Sequence, residues 1–81
     1  MTLMWEVRAA DGRLDELVRL VEELADPAAL VYRSAGSDGS DARVVVIDPT
    51  GRGLEVPGEL VARPPHVWLF DAVPRTPRDR P

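Results

Sequence analysis

The sequence predicts an α+β domain, a four-stranded antiparallel sheet carrying one main helix. Three observations predict it. Residues 14–25 repeat Leu and Val at helical spacing, and only this stretch does so over several turns. Residues 43–48 (R-V-V-V-I-D) and 66–73 (H-V-W-L-F-D-A-V) are apolar at nearly every position, without the in/out alternation of a strand with one wet face. Val45 and Ile47 point one way and Val44 and Val46 the other, while Trp68, Phe70 and Ala72 oppose Val67, Leu69 and Val73. One helix covers one face of such a sheet. The other face needs a cover from outside the chain, and a second copy is the expected one.

The first strand is expected over residues 2–8, with Leu3, Trp5 and Val7 on one side and Thr2, Met4, Glu6 and Arg8 on the other. Ala9-Ala10-Asp11-Gly12 then turns the chain. Asp11 is the expected N-cap of the helix, with Asp15 and Glu16 in the first turn, where the helix dipole favours negative charge. Leu14, Leu17, Val18, Val21, Leu24 and Ala25 form the apolar stripe; Arg13, Glu16, Arg19, Glu22 and Glu23 fall largely off it. Asp26-Pro27 ends the helix, because proline disfavours helical geometry in the residue before it. Residues 28–34 and 42–48 read as two strands joined by the Gly/Ser-rich hairpin loop 35–41, which makes them antiparallel neighbours. Residues 49–57, with two prolines and two glycines, are expected to be irregular. Residues 58–63 form one or two helical turns before Pro64-Pro65, and the fourth strand is residues 66–73. The domain is thus 1–73. The tail 74–81 (P-R-T-P-R-D-R-P) has nothing apolar beyond its prolines to bury and is expected to be flexible.

Composition narrows the function classes. The chain has 81 residues, enough for one small domain that buries a modest share of its surface, and association is a common remedy at this size. Without cysteine, disulfides and thiolate metal sites are excluded; a single histidine excludes His-rich zinc constellations. The net charge of −4 argues against a nucleic-acid partner, whose binding rests on neutralising phosphates. No stretch approaches a membrane span, and Met1–Arg8 shows no basic segment followed by an apolar run, so a cytoplasmic protein without membrane contact is expected. Every cation is arginine, and Lys, Asn and Gln are absent, a bias that fits a GC-rich bacterial genome. Any mechanism that needs an amide or lysine side chain is thereby excluded.

The order β-α-β-β-(short α)-β is the ferredoxin-like order with its second helix reduced to a stub. Three stretches carry a closer resemblance: A-D-G-R-L-D-E-L at residues 10–17 after a strand; V-Y-R-S at 31–34, a polar hairpin and R-V-V-V-I-D at 43–48; and a terminal strand after a short helix. In these the chain resembles the dimeric α+β barrel superfamily, most nearly the antibiotic biosynthesis monooxygenase-like domains. The resemblance implies homodimers whose sheets form a shared barrel, with small hydrophobic ligands held between sheet and helices. It implies no single chemistry, since members include oxygenases, haem degraders, isomerases and proteins with no known activity; for this chain no cofactor is expected. The chain departs from the family in having no asparagine, in ending its third strand Ile47-Asp48-Pro49 rather than glutamate-tryptophan, and in its reduced second helix. These departures rank the oxygenase reading below a binding role.

His66 is the only imidazole and the only side chain that ordinarily titrates near neutrality, so it is the candidate general base, axial haem ligand or hydrogen-bond donor to a carbonyl; a loop-edge histidine bonded to backbone is the plainer reading. Tyr32, whose hydroxyl can donate to a substrate oxygen, is the second catalytic candidate. Trp68, with Tyr32, Glu6 and Arg8, is a candidate ligand-binding residue, as a wall for a planar molecule; core or interface packing is the alternative for the aromatics. Glu6, Arg8, Arg33 and Asp71 either sit at strand ends in water, pair across the sheet or a dimer seam, or supply the polar groups of a pocket. No metal site is expected. The leading expectation is a small dimeric binding or accessory protein that holds a small hydrophobic ligand or a protein partner such as a larger enzyme. The alternatives are a cofactor-independent monooxygenase-like or isomerase-like enzyme acting on an aromatic or polyketide-type substrate, and a pure interaction module.

Overall fold

A computed structural model describes residues 1–34 and 42–76. The chain forms β1 (Thr2–Arg8), α1 (Leu14–Leu24), β2 (Leu30–Arg33), β3 (Arg43–Asp48), a three-residue 3-10 turn (Gly58–Leu60) and β4 (His66–Phe70). The four strands make one open antiparallel sheet in the order β2-β3-β1-β4. Because β1 and β2 both run antiparallel to β3, they run parallel to each other with β3 between them, and α1 is the crossover that makes this possible. The layout is α+β and compatible with a ferredoxin-like domain.

The register sorts every strand residue to a face. Leu3, Trp5 and Val7 of β1 stand opposite Asp48, Val46 and Val44 of β3, and all six are buried. This is the helix face. α1 lays Leu17 and Val21 on it, both fully buried, with Leu14, Val18, Leu20 and Ala25 packed around them. Burial of each such side chain stabilises by about 1.5–3 kcal/mol. Leu60, from the 3-10 turn, joins the same core, with Leu54 and Val56 half-buried beside it. The segment between β3 and β4 therefore does part of the work of a second helix, largely as extended chain. α1 packs on β2, β3 and the 3-10 turn, and does not reach β4.

Several boundaries differ from the sequence expectation. Asp11 does not cap α1: Gly12 adopts a left-handed φ of 73°, which turns the chain one step further, and Arg13 occupies the cap position without a side-chain cap bond. Asp15 and Glu16 do lie in the first turn. The helix ends at Leu24, because Ala25 is already extended and Asp26 begins a turn closed by its own carbonyl and carboxylate (Ala29 N–H to Asp26 O, 2.8 Å; Ala28 N–H to Asp26 Oδ1, 2.8 Å). That turn takes residues 28 and 29 away from β2. β4 stops at Phe70 rather than at 73, since Phe70 pairs with Thr2, the first residue of β1, and the β1–β4 pairing ends there. The β2–β3 pairing is antiparallel as expected, tied by Ser34 N–H to Arg43 O at 2.9 Å. The hairpin loop 35–41 and the end of the tail, 77–81, lie outside the described residues.

Candidate functional site

The second face of the sheet has no helix on it. Here Leu30 of β2, Ile47 of β3, Met4 of β1 and Trp68 of β4 stand in register, one from each strand. Phe70 extends the apolar patch along β4, beside Thr2, and Tyr32 extends it along β2, beside Val45. Leu30, Tyr32, Trp68 and Phe70 are 55, 52, 42 and 50 % exposed, values far from those of a finished core. β4 is open on its other face too: Val67 and Leu69 point to the helix side yet are 53 and 58 % exposed, because α1 stops short of them. The apolar residues on both faces of β3 thus divide cleanly, Val44 and Val46 under the helix, Val45 and Ile47 on the open face.

The polar end of the open face lies one row further along. Glu6 of β1 stands opposite His66 of β4, and Arg8 of β1 opposite Arg43 of β3. Glu6 accepts from the Arg43 guanidinium at 3.5 Å along the diagonal of the β1–β3 pair. Glu6, Arg8, Arg43, Arg63, Pro64 and His66 line a concavity of about 90 Å³. The His66 ring meets Trp68 edge-on, with centroids 5.6 Å apart and ring planes at 71°. The chain carrying Arg63 and His66 is fastened to the end of β1: Ala9 bridges Val61, and Ala62 N–H donates to Arg8 O at 2.8 Å. Pro64-Pro65 then restrict the backbone between the two side chains.

A second depression, an open groove of about 860 Å³, runs between the C-terminal half of α1 and the free edge of β2. Val18, Ala25, Leu30 and Val31 supply its apolar wall, Glu22 and Asp26 its acidic rim, and Tyr32 its far end.

Of the residues singled out in the sequence, Glu6, Arg8, His66 and Trp68 come together on the open face, the first three around the small concavity. Tyr32 does not join them. It stands in the same row as His66, but Val45 and Glu6 lie between, three strand spacings or about 14 Å across the sheet. Arg33 reaches Asp15 of α1 at 3.5 Å, and Asp71 is exposed beyond the end of β4, so these two charges are paired at the surface or in water. Trp5 is core. Sequence reasoning missed Arg43 and Arg63. The signal for Arg43 was its parity with Val45 and Ile47; Arg63 showed none beyond its place before two prolines.

No group of three or more His, Asp or Glu side chains converges as a metal site among the described residues. No helix among them is long and apolar enough to cross a membrane. Compared with known proteins, the chain matches no family model, no curated protein and no solved structure.

Proposed function

We propose that this chain is a ferredoxin-like domain of the dimeric α+β barrel type, a small homodimeric binding or accessory protein whose open sheet face is closed by a second copy and holds a small hydrophobic ligand or a protein partner. One observation carries the reading, the in-register apolar row Leu30, Ile47, Met4 and Trp68 across the uncovered face. The split β1-α1-β2 crossover supports the ferredoxin-like part. Three half-exposed aromatics on one face support the dimer, since an aromatic side chain removes roughly 150–250 Å² from water when fully buried. Together with Leu30, Met4, Val45 and Ile47 they supply the core of an interface of about 800 Å² per partner. An enzyme reading has less support, because His66 and Tyr32 stand at opposite edges of the sheet within one chain.

Sedimentation equilibrium tests the reading. The wild-type chain is expected at twice its 8.9 kDa mass at micromolar concentration, and Ile47→Glu at the monomer mass with its circular dichroism retained. A monomeric wild type would overturn it.

A further inference from the structure

We propose that β4 is a pairing edge for a second copy of this chain: two β4 strands meet antiparallel about a two-fold axis at Trp68 and join the two sheets into one. This surface is not the one closed in the reading above, and the inference does not rest on that reading.

The helix-side residues come first. Val67 and Leu69 alternate along β4 with His66, Trp68 and Phe70. Closing the open face covers Trp68 and Phe70 but leaves Val67 and Leu69 in water, at 53 and 58 % exposure. α1 does not reach them, so they need a cover of their own.

The edge comes second. β4 bonds to β1 on one side, and among the described residues nothing pairs with its other side. Val67-Trp68-Leu69-Phe70 carries no charge and no proline, the devices by which edge strands ordinarily block further pairing. The opposite edge of the sheet, β2, is only four residues long and carries Arg33.

Self-complementarity comes third, and it selects a second copy as the occupant. With the axis at Trp68, Val67 stands opposite Leu69 of the second copy on the helix side, and Leu69 opposite its Val67. Four aliphatic side chains then cover one another, and both α1 helices lie on one side of the joined sheet. On the open side the row Leu30, Ile47, Met4 and Trp68 continues through Trp68 of the second copy into the same row reversed. Other axes fit worse: one at Leu69 sets Asp71 against Val67, and one at Val67 sets Pro64 against Phe70. The Trp68 axis uses all of β4 and stops at Pro65, which has no N–H to offer a ladder. Such a contact consumes both edges and closes. So short a ladder buries less than the roughly 800 Å² per partner of a standard interface, so it forms at high protein concentration.

The chain has no cysteine, so introduced ones report cleanly. Val67→Cys and Leu69→Cys, both at exposed positions, are oxidised separately and as an equal mixture at about 1 mM. The mixture is expected to form a mixed disulfide at least about ten-fold faster than either variant forms its own, because unlike positions face each other while like positions lie about 7–8 Å apart on the diagonal. Ile47→Glu in both chains should leave the mixed product unchanged, since Val67 and Leu69 point away from the open face. Sedimentation gives a second reading. The mass should double between micromolar and about 1 mM protein, whatever its micromolar value, and Leu69→Lys should abolish that doubling with circular dichroism retained. A mixed product no faster than the single ones, its loss with Ile47→Glu, a mass that does not change over this range, or a doubling that persists in Leu69→Lys would each overturn the assignment.

Discussion

Met4 on β1 and Trp68 on β4 stand directly opposite each other, on the face of the sheet that no helix covers. On the other face, Leu3 and Trp5, the chain neighbours of Met4, are 6 and 1 % exposed. One strand thus serves a finished core and an unfinished one, and the two should respond differently to truncation. Leu17→Ala, beneath α1, should cost about 2–5 kcal/mol at any protein concentration, since it leaves a cavity in a packed interior. Trp68→Ala should act through association: the Tm of the wild type should rise with protein concentration, and the substitution should abolish that rise. A scan of Tm against concentration for the three proteins checks both.

The alternation of residues 2–8 was legible to the residue, because one face of β1 is buried along its whole length and slippage would put Trp5 in water. β3 was legible as two-sided, but not which side meets α1. That follows only from its register with β1, Val44 against Val7 and Val46 against Trp5, which is a long-range fact. β4 read too long because a strand's end is set by its partner's end, and β1 begins at Thr2. Asp11 failed as a cap because Gly12 takes a left-handed φ and the cap position passes to Arg13. Glu6, Arg8 and His66 stood out individually. Their meeting with Arg43 and Arg63 depends on the β1–β3 and β1–β4 registers together, and neither is written in local spacing.

Asp48 ends β3 on the helix face with 1 % exposure, and its carboxylate is satisfied locally. Oδ1 accepts from the Thr50 backbone N–H at 2.7 Å and from the Thr50 hydroxyl at 2.6 Å, while its carbonyl accepts from Gly51 N–H at 3.1 Å. Asp48→Ala should cost about 1–3 kcal/mol, because both Thr50 hydrogen bonds to the carboxylate are lost. Thr50→Val keeps the backbone bond and should cost only about 0.5–1.5 kcal/mol. Urea unfolding midpoints at constant m-value give both numbers, and a larger cost for Thr50→Val than for Asp48→Ala would mean that the turn is not held by this carboxylate.

Gly12 and Gly51 both have positive φ, 73° and 76°, but their surroundings differ. A Cβ at Gly12 meets open space, so Gly12→Ala should cost only the left-handed penalty of about 1–2 kcal/mol. A Cβ at Gly51 would lie 3.0 Å from the carbonyl oxygen of Met1, a backbone atom that moves only if the start of β1 moves. Gly51→Ala should therefore destabilise clearly more than Gly12→Ala, and thermal unfolding of the two variants side by side reads the difference. Equal costs would place the strain in φ alone.

Arg13 and Glu16 form a bidentate pair across the first turn of α1, with Nε to Oε1 and a terminal guanidinium nitrogen to Oε2 both at 2.9 Å. The hydrogen bond from Arg13 lowers the Glu16 carboxyl from its ordinary 4.5, and the carboxylate in turn raises the already high pKa of Arg13. The unfolded chain has no such pair, so the sign follows directly. The contribution is complete above the ordinary glutamate value and is lost as pH falls through the lowered value of the folded state. The pair lies at the surface, so the effect should be small and weakened by salt. Urea midpoints of wild type and Glu16→Gln should therefore differ at neutral pH in low salt and converge as the pH drops below the carboxylate range. Arg13→Ala should show the same convergence, since it removes the same bond from the other side. A gap between wild type and Glu16→Gln that persists unchanged into acid would assign the stabilisation to something other than the ionised pair, such as the glutamate's aliphatic stem on the turn.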